Sequence, residues 1–180
     1  EIEQSVYRLD LKIHEIATDS PHAPIIQALQ ALRGIKETAA VTIVAEIGDF
    51  TRFKNPEQLM AYAGLVPREY SSGNRTWRGS VTKTGSSCLR WILTECAWSA
   101  RYKPRISRDL IKRMERSSPN VHTIAWKAQV RLNKTYTKLL IRGKSRSVAI
   151  TAAARELLGF IWAIARQVNH EMEGGKGKVA

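Results

Sequence analysis

Gly64-Leu65-Val66-Pro67-Arg68-Glu69-Tyr70-Ser71-Ser72-Gly73-Asn74-Arg75-Thr76-Trp77-Arg78-Gly79 breaks a chain that otherwise reads as helices. Its glycines and small polar residues make it an irregular loop, or a short hairpin turning at Gly73-Asn74 between Arg68-Glu69-Tyr70 and Arg75-Thr76-Trp77. It places paired serines among arginines and an aromatic ring, and Ser80-Val81-Thr82-Lys83-Thr84-Gly85 extends it. Phosphoryl transfer through a serine would need such parts. A hydroxyl can act as nucleophile, guanidinium groups grip phosphate bidentately, and glycine lets backbone approach a strand closely.

Helices are expected on both sides. Upstream, Asn55-Pro56-Glu57-Gln58 has a cap, a proline in the first turn and a glutamine three beyond the cap, and that helix should stop at Gly64. Downstream, a cap at Ser86 or Ser87 opens a helix burying Leu89, Leu93, Cys96 and Ala100 and ending before Pro104. A basic helix over about Ser107 to Arg116, a longer one ending at Gly143, and a core helix from Ser147 to Val168 follow. The last of these has Val148, Ala152, Leu157, Ile161 and Ile164 at near-helical spacing. The fold class is therefore mainly α.

Further upstream, Ile25 to Gly48 reads as two short helices about Gly34-Ile35-Lys36. This pattern is either helix-hairpin-helix-like, with Lys36 beside amides that could hold a phosphate, or a tight corner that only builds core. Residues 1–20 place Ile2, Val6, Leu9, Ile13 and Ile16 at alternating spacings of four and three. They form either the end of a coiled-coil dimerisation helix or an ordinary amphipathic helix. Asp19 to Pro24 is a linker, residues 21–170 make the helical domain, and residues 171–180 read as a flexible tail.

Charge narrows the partner. The chain has 29 Lys and Arg against 16 Asp and Glu, and 19 of the basic residues fall within 70–155 alongside only three acids. No acid lies between Ser117 and Arg155. A polyanion is the expected partner, since fixed cations release condensed counterions from phosphates. No uninterrupted apolar run approaches bilayer thickness, and the aromatic residues are too dispersed for a membrane-surface face, so no membrane partner is expected. The cysteines, Cys88 and Cys96, read as small buried hydrophobes, and four scattered histidines lack serine or carboxylate partners nearby in sequence. The tryptophans, Trp77 apart, read as buried. Arg142-Gly143-Lys144-Ser145 lacks the upstream glycine of a phosphate-binding loop and reads as a basic helix end. Lys36, Arg68, Arg75, Trp77, Arg78, Lys83, Arg90, Lys144 and Arg146 are the candidate nucleic-acid contacts. No metal-ligand cluster or cofactor motif is present in the sequence.

The order Gly-Leu-x-Pro-Arg, Ser-Gly, Arg-Gly, Thr-Lys-x-Gly and Leu-Arg resembles the C-terminal transposase domain of the insertion-sequence one-one-zero family, over about Leu29 to Val168. That family comprises bridge-RNA-guided recombinases related to the Piv-type invertases. The resemblance implies that Ser72, the serine before glycine, is the catalytic nucleophile, with Ser71 as the alternative. It implies a bacterial cytoplasmic DNA transposase that works as a homo-oligomer, dimer or tetramer, with a guide RNA. It also implies that Mg2+ is held by acids of an N-terminal RuvC-like domain not contained in these residues, so this fragment would be inactive alone. A non-catalytic nucleic-acid-binding module, or a structural ribonucleoprotein component, is the alternative.

Overall fold

The computed structural model describes the backbone of residues 2–72 and 75–176 and the side chains of residues 2–68 and 79–174. The Gly73-Asn74 turn and residues 177–180 fall outside the described residues. The described elements run α1 (Ile2–Asp19), α2 (Ala23–Leu29), α3 (Glu37–Ile47), α4 (Pro56–Tyr62), β1 (Pro67–Ser72), β2 (Arg75–Val81), α5 (Ser87–Ala97), α6 (Arg108–Met114), α7 (Pro119–Ile141) and α8 (Arg146–Lys176). Short 3-10 turns occupy Phe50–Arg52 and Trp98–Arg101. The protein is mainly α, with one two-stranded antiparallel sheet.

Side-chain caps set the helix starts. Asn55 Oδ1 accepts from the Gln58 amide at 3.0 Å, Ser86 Oγ from Leu89 at 3.1 Å, Ser107 Oγ from Leu110 at 3.2 Å and Ser118 Oγ from Val121 at 3.4 Å. Each satisfies an amide that the helix itself leaves unpaired.

Helix α8 is the central post. Its 31 residues span about 46 Å at 1.5 Å per residue. It packs against α2, α4, α5 and α7. The fully buried Ala149, Ala153, Ala154 and Ala165 alternate with Leu157, Leu158, Ile161 and Ile164, and the small residues let neighbouring helices come close. After the corner at Gly143, α8 returns antiparallel along α7. Arg131 makes a bidentate pair with Glu156, Nε to Oε2 and Nη2 to Oε1 both at 3.0 Å, and Ser118 Oγ donates to Glu171 Oε1 at 2.8 Å. Helices α2, α3 and α5 make up the other side of the core.

Several expectations are corrected. Helix α8 continues through Lys176, where a flexible tail beginning at Glu171 was expected, and Glu171 is anchored by Ser118, Asn120 and Gln167. By length and composition α8 is also apolar enough to cross a membrane, because its charges interrupt every run without offsetting the Ala, Ile and Leu between them; half of that stretch is buried in the core. Val148, expected in the core, is 50% exposed, since periodicity identifies a face and not whether anything covers it. Cys88 is exposed while Cys96 is buried. Trp91 and Trp126 are exposed rather than buried.

Two histidines have partners that the sequence reading did not give them. His14 Nδ1 lies 3.1 Å from Glu37 Oε1, 23 residues away, and His122 Nε2 lies 2.8 Å from the Met114 carbonyl and 3.1 Å from Oγ of Ser117, a serine only five residues distant. Helix α1 packs on α2 and α3 and buries Ala17, while Ile2, Val6, Leu9 and Ile16 of its seam stay exposed.

Candidate nucleic-acid interface

The serine segment is a hairpin that leaves the domain after α4 and returns into α5. Strand β1 pairs with β2 in the register Pro67↔Val81, Glu69↔Arg78, Tyr70↔Trp77, Ser71↔Thr76 and Ser72↔Arg75, with an irregularity between Pro67 and Glu69. Aromatic and β-branched residues suit a pleated strand, which accounts for the longer pairing than the sequence alone suggested. Ser72 is the last residue of β1 and pairs opposite Arg75. The side chains of Ser71, Ser72, Arg75, Trp77 and Arg78 lie outside the described residues, so the backbone register alone places them.

The base of the hairpin is built from backbone packed on backbone. Gly64 adopts φ +68, and a Cβ there would sit 2.0 Å from the Thr84 carbonyl oxygen. Gly85 adopts φ +82, and a Cβ there would sit 2.0 Å from the Tyr62 carbonyl oxygen. Only glycine admits both the left-handed conformation and that approach. The amides of Thr82 and Lys83 donate to the carbonyls of Val66 and Gly64 at 2.9 and 3.1 Å.

Arg90, a candidate phosphate ligand in the sequence, reaches into this junction from the first turn of α5. Its Nη1 donates to the carbonyls of Thr84 at 2.9 Å and Gly85 at 3.0 Å, with that of Ala63 at 3.4 Å. It staples the end of α4 to the hairpin exit and so positions the loop. Arg68 is exposed, with Nη2 donating to the Thr82 carbonyl at 3.2 Å. Lys83 is exposed and held at φ +58, an unusual conformation for a lysine, which fixes its exit direction.

A cleft of about 400 Å³ separates the hairpin base from the first turns of α8. Leu65, Pro67 and Val81 form one wall, and Val148, Ala152 and Arg155 the other. Lys144 and Arg146, both exposed, stand at the α7–α8 corner next to Ser147, which also lines the cleft. The fold thus brings Arg68 and Lys83 on the hairpin base to the same end of the molecule as Lys144 and Arg146. Arg155 escaped the sequence reading. The signal was there: 148, 152 and 155 share one helical face, and Arg155 closes the acid-free run.

Lys36 does not join this group. It precedes α3, and the adjoining Gly34 packs against the far end of α5, where a Cβ would sit 2.4 Å from the Cys96 carbonyl oxygen. Helix α5 is 11 residues, about 16 Å, so the predicted contacts fall at two ends of it. Among the described residues, no three His, Cys, Asp or Glu side chains converge into a metal site.

Residues 26–112 match the family model described as Transposase IS116/IS110/IS902 family. A protein of Sinorhizobium fredii named as a transposase, y4qE, is 52% identical over 155 residues, which is 84% of this chain and 40% of that protein. The transposase for insertion sequence element IS1111A of Coxiella burnetii is 27% identical over 138 residues, 77% of this chain and 32% of its own length. The transposase for insertion sequence element IS1533 of Leptospira borgpetersenii is also 27% identical over 138 residues, 76% of this chain and 40% of its own. The chain therefore spans less than half the length of these relatives. The match runs from α2 through the serine hairpin and α5 into α6, and that part of the chain is similar to transposases of the IS116/IS110/IS902 family.

Proposed function

We propose that the chain is the serine-bearing part of a DNA transposase, in which Ser72 Oγ attacks a DNA phosphodiester. One P–O bond forms to Ser72 while one P–O bond to the departing strand breaks. The hydroxyl proton goes to a base, and the departing oxygen takes up a proton. Ester count is unchanged, so the phosphoserine linkage conserves the bond until a new DNA hydroxyl attacks it and releases the serine. The observation that carries this reading is the hairpin itself. Ser72 ends a strand opposite Arg75, on a base fixed by Gly64, Gly85 and Arg90, with Arg68, Lys83, Lys144 and Arg146 at the same end. Cations held near a developing oxyanion offset its charge.

Serine is a weak nucleophile until a base or metal activates it. That help is assigned to acids of a RuvC-like domain outside these residues, which would hold Mg2+; no step above runs through the ion. Oligomerisation through α1 and pairing with a guide RNA belong to the same proposal. The exposed seam of Ile2, Val6 and Leu9 supports the former, and the acid-free basic stretch supports the latter.

The competing reading is a non-catalytic nucleic-acid-binding module, favoured by Arg90 spending its contacts on backbone rather than facing a ligand. Trapping separates the two. In the protein extended to its relatives' length, a covalent protein–DNA adduct should survive denaturation, vanish in Ser72→Ala and persist in Ser71→Ala, with DNA binding retained in both. No adduct, or one that depends on Ser71, refutes the assignment of Ser72.

A further inference from the structure

The segment between the Trp98–Arg101 turn and α6, Tyr102-Lys103-Pro104-Arg105-Ile106-Ser107, is irregular yet held in place from outside. Arg33 Nη1 donates to the Lys103 carbonyl at 2.8 Å. Asn133 Nδ2, from α7, donates to the carbonyls of Ala100 at 2.8 Å and Tyr102 at 3.1 Å. The Arg105 amide donates to Oε1 of the buried Gln129, also on α7, at 3.1 Å. Two elements distant in sequence thus use buried or half-buried polar groups to fix the backbone of an exposed strip.

The side chains on this strip follow a single theme. Arg101, Lys103, Arg105 and Arg108 are all exposed, and no acid occurs from Cys96 to Arg108. The Arg101 guanidinium lies 4.6 Å from the centre of the Tyr102 ring, with its Nη2 2.6 Å from the Tyr102 hydroxyl, and Arg33 lies 5.4 Å from the same ring. Of the nearby acids, Asp109 pairs with Arg113 at 3.2 Å and Glu37 with His14. Among the described residues, no carboxylate pairs with Lys103 or Arg105. Ser99 Oγ donates to the Arg33 carbonyl at 3.0 Å, which seats the Gly34–Lys36 corner beside this strip.

We infer that the Arg101–Arg108 strip, with Lys36 at its side, is a second nucleic-acid contact that holds the phosphate backbone at the opposite end of α5 from the serine hairpin. Cations at alternate positions on a fixed backbone lose little freedom on meeting phosphates, so the strip is prepared for a regular polyanion. The 16 Å length of α5 corresponds to about five phosphate steps along one strand, so a single nucleic acid can engage both ends. The inference shares with the reading above only the premise that the chain binds nucleic acid.

Lys103 and Arg105 contribute only backbone atoms to the pinning, so their side chains can be changed without loosening the strip. The test measures equilibrium affinity of the full chain for a 20-base-pair DNA duplex and a 20-nucleotide RNA strand, each between about 50 and 200 mM salt. Removing two phosphate contacts with Lys103→Gln/Arg105→Gln should flatten the salt slope by about 1.8 for the duplex or 1.4 for the single strand. Over that range the unmodified chain should then lose about twelvefold more affinity for the duplex, or about sevenfold more for the strand, than the variant loses. The probe that responds identifies the nucleic acid. Lys103→Arg/Arg105→Lys should keep the original slope, and so should Arg8→Gln/Lys12→Gln on α1. Unchanged slopes with both probes, or an equal loss in the α1 variant, overturn the inference. Ser72→Ala leaves these slopes untouched, so failure of the nucleophile assignment and failure of this contact read out separately.

Discussion

Gly64 and Gly143 offer a matched pair for measuring what the hairpin base contributes. Both end helices in the same way: the amide after each glycine donates back five residues, Leu65 to Met60 at 3.0 Å and Lys144 to Leu139 at 3.0 Å. Their φ angles are +68 and +72. They differ in what surrounds them, for a Cβ on Gly143 meets nothing within 4 Å while one on Gly64 would lie 2.0 Å from the Thr84 carbonyl oxygen and 2.6 Å from its nitrogen. Gly143→Ala should therefore cost only the left-handed conformational penalty, about 1 kcal/mol after the gain from a less flexible unfolded chain. Gly64→Ala carries the same penalty plus an overlap with backbone, which must shift by about 1 Å; forced overpacking of this kind adds about 1–3 kcal/mol. In a chain of 180 residues each kcal/mol lowers Tm by about 2–4 °C, so the two variants should separate by about 2–12 °C. Hydrogen exchange gives a local check, because the Thr82 and Lys83 amides bond across this junction and should lose protection in Gly64→Ala alone. Equal melting temperatures together with equal protection would refute the claim that close backbone approach holds the hairpin.

Two further predictions concern titratable groups. Burial pushes the Cys96 thiol up to about 12, whereas Cys88 is exposed and raised by desolvation and, to a lesser degree, by Glu46, so a thiol reagent near pH 8 should label Cys88 slowly and Cys96 only after denaturation; equal native rates would contradict the placement of α5. Burial raises the Glu171 carboxyl, but hydrogen bonds from Gln167, Ser118 and Asn120 outweigh it and hold the group below its ordinary value of 4.5. A depressed folded value means the stabilisation is present above the unfolded value and lost as pH falls through the folded one. Tm should therefore decline from about pH 5 downward, less steeply in Glu171→Gln; parallel curves would show that the α7–α8 latch adds nothing.

The sequence by itself determined the helical fold, because caps and periodicity are local. Asn55, Ser86, Ser107 and Ser118 each accept from an amide three residues on, and a period of 3.6 needs no distant partner to be recognised. It also located the serine segment between two helices and the basic half of the chain. Which side chains share a surface depends on contacts between residues tens of positions apart, and only the tertiary structure decided that. Arg90 reads as a cation near a phosphate-binding loop until its nitrogen is found against the carbonyls of Thr84 and Gly85. Lys36 and Lys83 look alike in sequence yet lie at opposite ends of α5, and Arg155 joins the hairpin cleft because α8 crosses its base. The pinned strip at Arg101–Arg108 was invisible for the same reason: its anchors, Arg33, Gln129 and Asn133, lie more than twenty residues away, and no local pattern records a hydrogen bond that only folding creates.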